Sequence, residues 1–146
     1  MSLFSALSVS ASGMTAQRTR AELLVENLAN SETTRTPEGG PYHRKDAIFE
    51  AAPANSPFAA VFQTELQSGV SGVQVSDISV DTREPDRRYL PGHPDADANG
   101  YVAFPRINPA EDMADLVSAS RGYQGNVAAM NAIKDMLHKS IDLIKS

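Results

Sequence analysis

The sequence of 146 residues lacks cysteine and tryptophan, and aromatic residues make up only 6% of it. Without cysteine, disulfide frameworks, thiol nucleophiles, zinc–thiolate sites and iron–sulfur clusters are excluded. Its 13 Lys and Arg residues are outnumbered by 18 Asp and Glu residues, which gives a formal net charge of −5. Because no basic run is present, the composition argues against a protein that binds nucleic acid along its phosphates.

Long apolar runs are also absent. No stretch reaches the roughly 18 uncharged apolar residues of a membrane-spanning helix, so we expect no direct insertion into a membrane. Residues 2–14 are uncharged but rich in serine, and the first basic residues, Arg18 and Arg20, follow the apolar part. A cleaved secretory signal has the opposite order. We therefore expect that export, if it occurs, leaves this end intact.

Signatures of catalysis are missing as well. No G-x-S-x-G, H-E-x-x-H or phosphate-loop pattern occurs. Acidic residues are present, but nothing in the sequence places two of them opposite a substrate. The sequence therefore predicts neither an enzyme nor a bound cofactor.

Helical periodicity marks both ends of the chain. Apolar residues recur at steps of three, four or seven between residues 3 and 28, and again from residue 109 to the end. Asn108 and Pro109 suit an N-cap and a first helical position, and the apolar stripe that follows lasts for more than four heptads, as in a coiled coil. The stripe positions are Leu7, Ala11, Met14, Ala21, Val25 and Leu28, then Met113, Leu116, Ser120, Tyr123, Val127, Met130, Lys134, Leu137, Ile141 and Ile144.

The length of the last helix indicates partners. At 1.5 Å per residue, about 36 residues form a rod of roughly 54 Å, which is longer than the core of a 15.6 kDa globule. The helix must then bury its stripe partly against other chains.

The middle of the chain has a different character. Residues 31–108 hold eight of the nine prolines and six of the nine glycines, which disfavours long helices. Short runs that resemble strands occur at residues 47–49, 61–62, 70–80 and 101–104. We predict an α+β fold in which helices within residues 1–30 and 109–146 pair as a coiled coil around a small, loop-rich β domain, residues 31–108.

A short acidic motif is the one indication of a metal. Residues 95–100 read Asp-Ala-Asp-Ala-Asn-Gly, which matches the first six positions of a calcium-binding loop and offers Asp95, Asp97 and Asn99 as oxygen ligands. The twelfth position should be a bidentate glutamate, but it is Arg106. We therefore expect no metal site, and we interpret the motif as a tight turn in which Gly100 supplies positive φ.

Two further features of the helices bear on how they pack. Asn27 and Asn30 lie at the end of the first helix, where asparagine can cap the helix or can fix the register between packed helices as a buried amide. Small residues in the segment 119–123 permit another helix to approach closely.

Motifs spread along the whole chain resemble those of the bacterial flagellar axial proteins of the rod and hook. They are Ser-Gly-Met-Thr-Ala-Gln-Arg at 12–18, Asn-Leu-Ala-Asn at 27–30, residues 33–42, 91–97 and 100–102, and Ala-Ser-Arg-Gly-Tyr-Gln at 119–124 with Asn126 and Asn131. The length and the proline–glycine segments favour a member of the proximal rod over a distal-rod or hook relative. A calcium-binding module is the alternative from another class.

The resemblance implies a structural subunit of the rod, the drive shaft that crosses the periplasm and transmits torque. Its expected partners are copies of itself, other rod proteins, membrane-ring and rod-adaptor proteins at the rod base, and the flagellar type III export apparatus. The implied assembly interface has apolar residues at Leu7, Met14, Ala21, Leu28, Met113, Leu116, Tyr123, Val127, Met130, Leu137 and Ile141, and polar ones at Asn27, Asn30, Arg121 and Asn131.

Overall fold

A computed structural model of the chain describes residues 3–52 and 71–145. The elements are α1 (Leu3–Ala29), β1 (Lys45–Ala51), β2 (Val73–Val80), β3 (Asp86–Tyr89), β4 (Tyr101–Phe104) and α2 (Pro109–Lys145). The predicted α+β class, with two long helices around a small β region, is confirmed. The run predicted at residues 61–62 lies outside the described residues, as does residue 70, and β2 begins at Val73.

The two helices lie side by side and run antiparallel. Arg20 of α1 approaches Asp115 of α2, with 3.4 Å between Nη2 and Oδ1. Further towards the start of α1, Gln17 lies against Gly122, and Gly13 lies against Asn126. Residue numbers therefore fall along α1 as they rise along α2. Within the described residues, neither helix is long and apolar enough to cross a membrane.

Local signals explain where α2 begins. The Asn108 side chain accepts a hydrogen bond from the backbone N–H of Ala110 at 3.2 Å, as an N-cap residue does. Pro109 occupies the first helical position, where a missing N–H has no consequence for the helix. The predicted cap is thereby confirmed.

The β region consists of two antiparallel pairs of strands. β1 pairs with β2, with an irregularity between Ile48 and Phe49, and β3 pairs with β4. β3 was not predicted, because its sequence Asp-Arg-Arg-Tyr has no alternation of apolar residues. Its partner β4 supplies the apolar side, since Val102 and Phe104 are buried, and the Arg88 guanidinium lies 4.7 Å from the centre of the Phe104 ring.

The acidic motif at residues 95–100 forms the predicted tight turn. The Asp97 Oδ1 atom accepts hydrogen bonds from the backbone N–H groups of Asn99 and Tyr101 at 2.8 and 2.9 Å, and Gly100 has a φ of 81°. Asp95 instead accepts a hydrogen bond from the Thr34 hydroxyl at 2.8 Å. The carboxylates of Asp95 and Asp97 thus bond to different partners. The part of the chain that the structure describes contains no group of three or more acidic or histidine side chains that could hold a metal.

Candidate assembly surface

Asn27 holds the end of α1 to the start of β1. Its Nδ2 donates to the Lys45 carbonyl at 2.8 Å, and its Oδ1 accepts from the Lys45 N–H at 2.9 Å and from the Tyr42 hydroxyl at 3.0 Å. The residue is 0% exposed. Asn27 therefore acts neither as a helix cap nor as an amide between two helices, because its side chain joins a helix to a strand. The structure shows this role within one subunit, and a place for Asn27 at the assembly interface stays a prediction.

The groups around Asn27 strengthen this junction. Lys45 Nζ lies 2.6 Å from the Glu26 Oε1 atom. Burial, followed by the charge of Glu26, raises the pKa of Tyr42 to about 12. The phenol therefore stays protonated and continues to donate to Asn27 at any physiological pH.

Asn30 acts as the helix cap that the sequence suggested. Its backbone N–H and its Nδ2 both donate to the Glu26 carbonyl, at 3.1 and 2.9 Å. Its Oδ1 accepts a hydrogen bond from the Thr33 hydroxyl at 3.1 Å. These bonds occupy carbonyl and amide groups that the last turn of α1 would otherwise leave unpaired.

A buried ion pair ties α2 to the β region. Arg44 Nη1 lies 2.9 Å from the Asp112 Oδ1 atom, and the Asp112 side chain is 0% exposed. Burial raises the pKa of Asp112, while the positive charge of Arg44 opposes that shift. Among the described residues, neither Asp112 oxygen has a hydrogen-bond partner, so the Arg44 ion pair is what compensates its burial.

Two glycine–amide pairs set the register of the helices. A Cβ at Gly13 would lie 3.0 Å from the Asn126 amide, and one at Gly122 would lie 3.2 Å from the Gln17 Cδ atom. Each helix thus carries a glycine and, four residues later, an amide, and in the antiparallel pair each glycine faces the amide of the other helix. The close approach that the sequence predicted around residue 122 is confirmed.

The sequence left open whether an amide at the end of α1 caps the helix or fixes the register between the helices. The candidates were Asn27 and Asn30, whereas the amides between the helices are those of Gln17 and Asn126. The detectable signal was the repeated spacing Gly-x-x-x-Gln at 13–17 and Gly-x-x-x-Asn at 122–126.

We expect alanine substitutions at the three helical glycines to change the stability of the subunit in different directions. Gly125→Ala should stabilise the subunit by up to about 1 kcal/mol, because alanine favours helix and a Cβ there meets nothing within 4 Å. Gly13→Ala should destabilise it by about 1–2 kcal/mol, because the Asn126 amide must move. Gly122→Ala should be nearly neutral, since the flexible Gln17 can yield. Urea unfolding of the dilute subunit tests this order, and equal stabilisation by Gly13→Ala and Gly125→Ala would refute it.

The face of each helix that is buried within the subunit is rotated from the predicted stripe. On α1, the buried residues are Ser10, Ala16, Leu23, Leu24 and Asn27. On α2, they are Asp112, Ala119 and Ile133. Small and polar residues therefore make much of the intrachain contact, and the predicted apolar stripes lie at its flanks.

The predicted interface residues fall into three groups by burial. Asn27 is buried, as described above. The half-buried residues are Leu7, Met14, Ala21, Leu28, Asn30, Leu116, Val127, Met130 and Leu137, and the exposed ones are Met113, Arg121, Tyr123, Asn131 and Ile141.

An open groove of about 540 Å³ lies along one side of the helix pair. Its lining consists of Gln17, Arg18 and Ala21 of α1 and Leu116, Ala119, Ser120 and Tyr123 of α2. We call these seven residues the groove. Three of them, Ala21, Leu116 and Tyr123, belong to the predicted interface. The structure therefore brings the stripes of both helices together at one surface.

Comparison with known proteins identifies the class of protein to which this chain belongs. Residues 98–143, which contain β4 and most of α2, match the family model described as the flagellar basal body rod FlgEFG protein C-terminal. A fold of two long terminal helices with this C-terminal segment defines a protein of the flagellar rod class.

Full-length relatives narrow the assignment. The chain is 40% identical to the flagellar basal-body rod protein FlgC of Bacillus subtilis, over 99% of this chain and 100% of that protein. It is 38% identical to FlgC of Borreliella burgdorferi, over 99% of both chains, and 33% identical to FlgC of Salmonella typhimurium, over 98% of both. The chain belongs to the FlgC family of flagellar basal-body rod proteins.

Proposed function

We propose that this chain is a structural subunit of the proximal rod in the bacterial flagellar basal body. The proposal is supported by membership of the FlgC family along almost the full length of the chain. The structural observation that carries it is the unburied stripe of α2, where Met113, Tyr123 and Ile141 are 53%, 42% and 47% exposed. Apolar residues in line on a long helix are typical of a surface that another helix covers.

Assembly through the helices provides a mechanism without a chemical step. The segments 1–30 and 109–146 form the inner part of the rod, where stripes left open within one subunit are completed as a coiled coil by helices of neighbouring subunits. The segment 31–108 forms the outer part. Torque then passes between subunits through dense packing contacts, which resist shear because packed interiors have low compressibility.

The proposed setting follows from this role. The neighbours are copies of the chain, other rod proteins, and ring and adaptor proteins at the rod base. The subunit reaches the periplasm through the flagellar type III export apparatus.

A matched pair of charge substitutions tests the role of the helices. We expect Ile141→Asp to abolish rod assembly and swimming, because a carboxylate would be buried in the contact between subunits at a cost of several kcal/mol. The same change at Val80 of β2, which is also 47% exposed, should leave both intact. Swimming is measured in cells that carry the variant as their only copy, and circular dichroism of each purified variant controls for folding. Normal swimming with Ile141→Asp would refute the proposed contact.

A further inference from the structure

Each strand of the β1–β2 pair has one edge that faces away from the other strand. Before β1, the Arg44 carbonyl accepts a hydrogen bond from the Asp81 N–H across the pair, at 2.8 Å. After β1, the Ala52 N–H donates across the pair to the Gly72 carbonyl, also at 2.8 Å. Main-chain groups of an antiparallel pair point alternately towards the partner strand and away from it. The residues of β1 whose main chain points away are therefore Lys45, Ala47, Phe49 and Ala51.

Lys45 confirms this direction and is already occupied. Its N–H and its carbonyl both bond to the side chain of Asn27. None of the hydrogen bonds between the described residues reaches the outward main-chain groups of Ala47, Phe49 and Ala51. We call the outward N–H and carbonyl groups of these three residues the β1 edge. An open edge of this kind is a template for another strand.

The opposite edge of the pair, along β2, is blocked. The Val73 N–H donates to the Ser12 hydroxyl at 3.0 Å, and the Ile78 N–H donates to the Asp77 side chain at 2.8 Å. The extra residue of the irregularity, Ser76, also lies in β2, and bulges disrupt further pairing at an edge. None of these features occurs along the β1 edge, so β1 is the strand to which another one can be added.

A cleft between β1 and the helices leaves room for that strand. No Cα atom of β1 lies within 8 Å of one in α2, whereas neighbouring strands lie about 4.8 Å apart. The cleft has a volume of about 220 Å³, and its apolar lining is formed by Leu23 and Leu24 of α1 and by Ala47 and Phe49 of β1. The β1 edge thus lies beside an apolar surface that can receive side chains of an added strand.

The charged groups that line the cleft are already paired within the subunit. The pairs are Arg20 with Asp115, Lys45 with Glu26, and Asp46 with Arg44. A charged side chain placed in the cleft would find no free opposite charge in this lining, and its removal from water would be costly. An uncharged side chain would instead contact Leu23, Leu24 and Phe49. The cleft therefore favours an uncharged segment.

The described strands of this chain do not supply such a segment to a second copy. β1, β2 and β3 each contain charged residues. β4 is uncharged, but it already pairs with β3 on one side. On its other side, the N–H and the carbonyl of Tyr101 bond to Asp97. This favours a different protein as the source of the added strand.

We infer that an uncharged, extended segment of another rod protein lies in the cleft and adds a strand to the β1 edge. This inference rests on the proposed function, in which other rod proteins are neighbours of the chain. Main-chain hydrogen bonds hold the segment, and the apolar lining of the cleft selects the side chain of every second residue. Two strands alone form a marginal sheet, so the third strand also stabilises the β region against α1.

Amide hydrogen exchange, measured residue by residue, tests this contact. In the dilute subunit, the Ala47 and Phe49 amides should exchange rapidly, whereas the Ile48 amide, which points towards β2, should be protected. In isolated basal bodies, the Ala47 and Phe49 amides should exchange at least about tenfold more slowly, because they then donate to another strand. The outward amide of Val80 on β2 is the matched control and should not change. Protection of Ala47 and Phe49 already in the dilute subunit would overturn the inference.

A proline substitution removes one donor from the same edge. Ala47→Pro deletes an N–H that points away from β2, and proline is tolerated at such edge positions, so circular dichroism should show the parent fold. Incorporation into basal bodies should fall by at least about tenfold, because the partner loses a hydrogen bond and meets the proline ring. Val80→Pro removes an outward N–H of β2 and should be incorporated like the parent chain. If Ala47→Pro does not fold, the exchange measurement on the parent chain decides.

A photo-reactive side chain identifies the source of the strand. p-Benzoylphenylalanine replaces Ala51, which is exposed at the end of the β1 edge, and cells are irradiated before basal bodies are isolated. We expect a product with a different rod protein, joined through an uncharged stretch of that protein. A product only with a second copy, or only within one chain, would overturn the inference.

The outcomes separate the inference from the proposed function. Equal exchange of the Ala47 amide in the dilute subunit and in basal bodies would refute the inference, and so would normal incorporation of folded Ala47→Pro, while the rod assignment would stand. Absence of the tagged parent chain from basal bodies would refute the rod assignment, and the inference with it.

Discussion

Arg44→Met is expected to destabilise the subunit by about 3–5 kcal/mol at neutral pH, the range found when one partner of a buried ion pair is removed. The variant would leave the Asp112 carboxylate with 0% exposure and without the cation that balances it. The start of α2 would then lose its attachment to the residues before β1. Urea unfolding of the dilute subunit, followed by circular dichroism, measures the change.

The pH dependence of this loss identifies its cause. Burial already raises the pKa of Asp112, and without Arg44 that pKa rises further. A raised pKa in the folded state means that the folded protein binds the proton more tightly than the unfolded chain. Stability associated with this group is therefore present at low pH and is lost as the pH rises through the folded-state pKa. The deficit of Arg44→Met relative to the parent protein should accordingly shrink as the pH falls from 7 towards about 4, near the unfolded pKa of aspartate.

Removal of the opposite partner provides the matched control. Asp112→Asn should cost much less than Arg44→Met, because Arg44 keeps its contact with Asp46, at 3.1 Å between Nε and Oδ2, and remains partly exposed. The double variant Arg44→Met/Asp112→Leu should recover most of the loss, as apolar replacements of buried ion pairs often do. A deficit of Arg44→Met below about 1 kcal/mol, constant with pH, would contradict this account.

The sequence predicted those parts of the fold that depend on near neighbours. Both helices were predicted because apolar spacing and the Asn108–Pro109 start are local signals. The turn at Asp97 and Gly100 was predicted because an aspartate side chain bonds its own nearby backbone and glycine permits positive φ. These interactions span only a few residues.

The face that each helix buries within the subunit could not be predicted from the same spacing of apolar residues. A hydrophobic stripe indicates that a surface is covered, but it does not tell whether the cover is the same chain or another one. Within the subunit, Gly13 and Gly122 lie against the opposite helix, and Ala16 and Ala119 are buried. The small size of these residues permits close approach of the helices. Periodicity gives such residues little weight, because they are only weakly apolar.

Contacts between segments that are distant in the chain could not be predicted from the sequence either. The bond of Asn27 to Lys45 joins residues 18 positions apart, and Arg44 contacts Asp112 although the strands β1 to β4 lie between them in the sequence. β3 was missed because its charged sequence is stabilised by pairing with β4 rather than by a pattern of its own. Each of these contacts depends on the tertiary structure, and none of them produces a local pattern in the sequence.

Asn27→Ala is expected to destabilise the subunit by about 3–5 kcal/mol. The substitution removes one amide but leaves three groups without their partner, namely the N–H and the carbonyl of Lys45 and the hydroxyl of Tyr42. Each buried polar group that loses its partner costs roughly 1–3 kcal/mol. The amide is specifically required, because Asn27→Asp would retain the acceptor but replace the donor with a negative charge beside the Lys45 carbonyl.

Asn30→Ala serves as the control, since it removes the same side chain three residues away. Asn30 caps α1 through bonds to Glu26 and Thr33 that are only partly buried, and loss of a helix cap costs about 1 kcal/mol. Unfolding of both variants in urea, with hydrogen exchange at Lys45 as a local measurement, compares the two sites. We expect exchange at the Lys45 amide to accelerate strongly in Asn27→Ala and little in Asn30→Ala. Equal losses of stability in the two variants would show that Asn27 acts as one more cap and does not fix α1 to the β region.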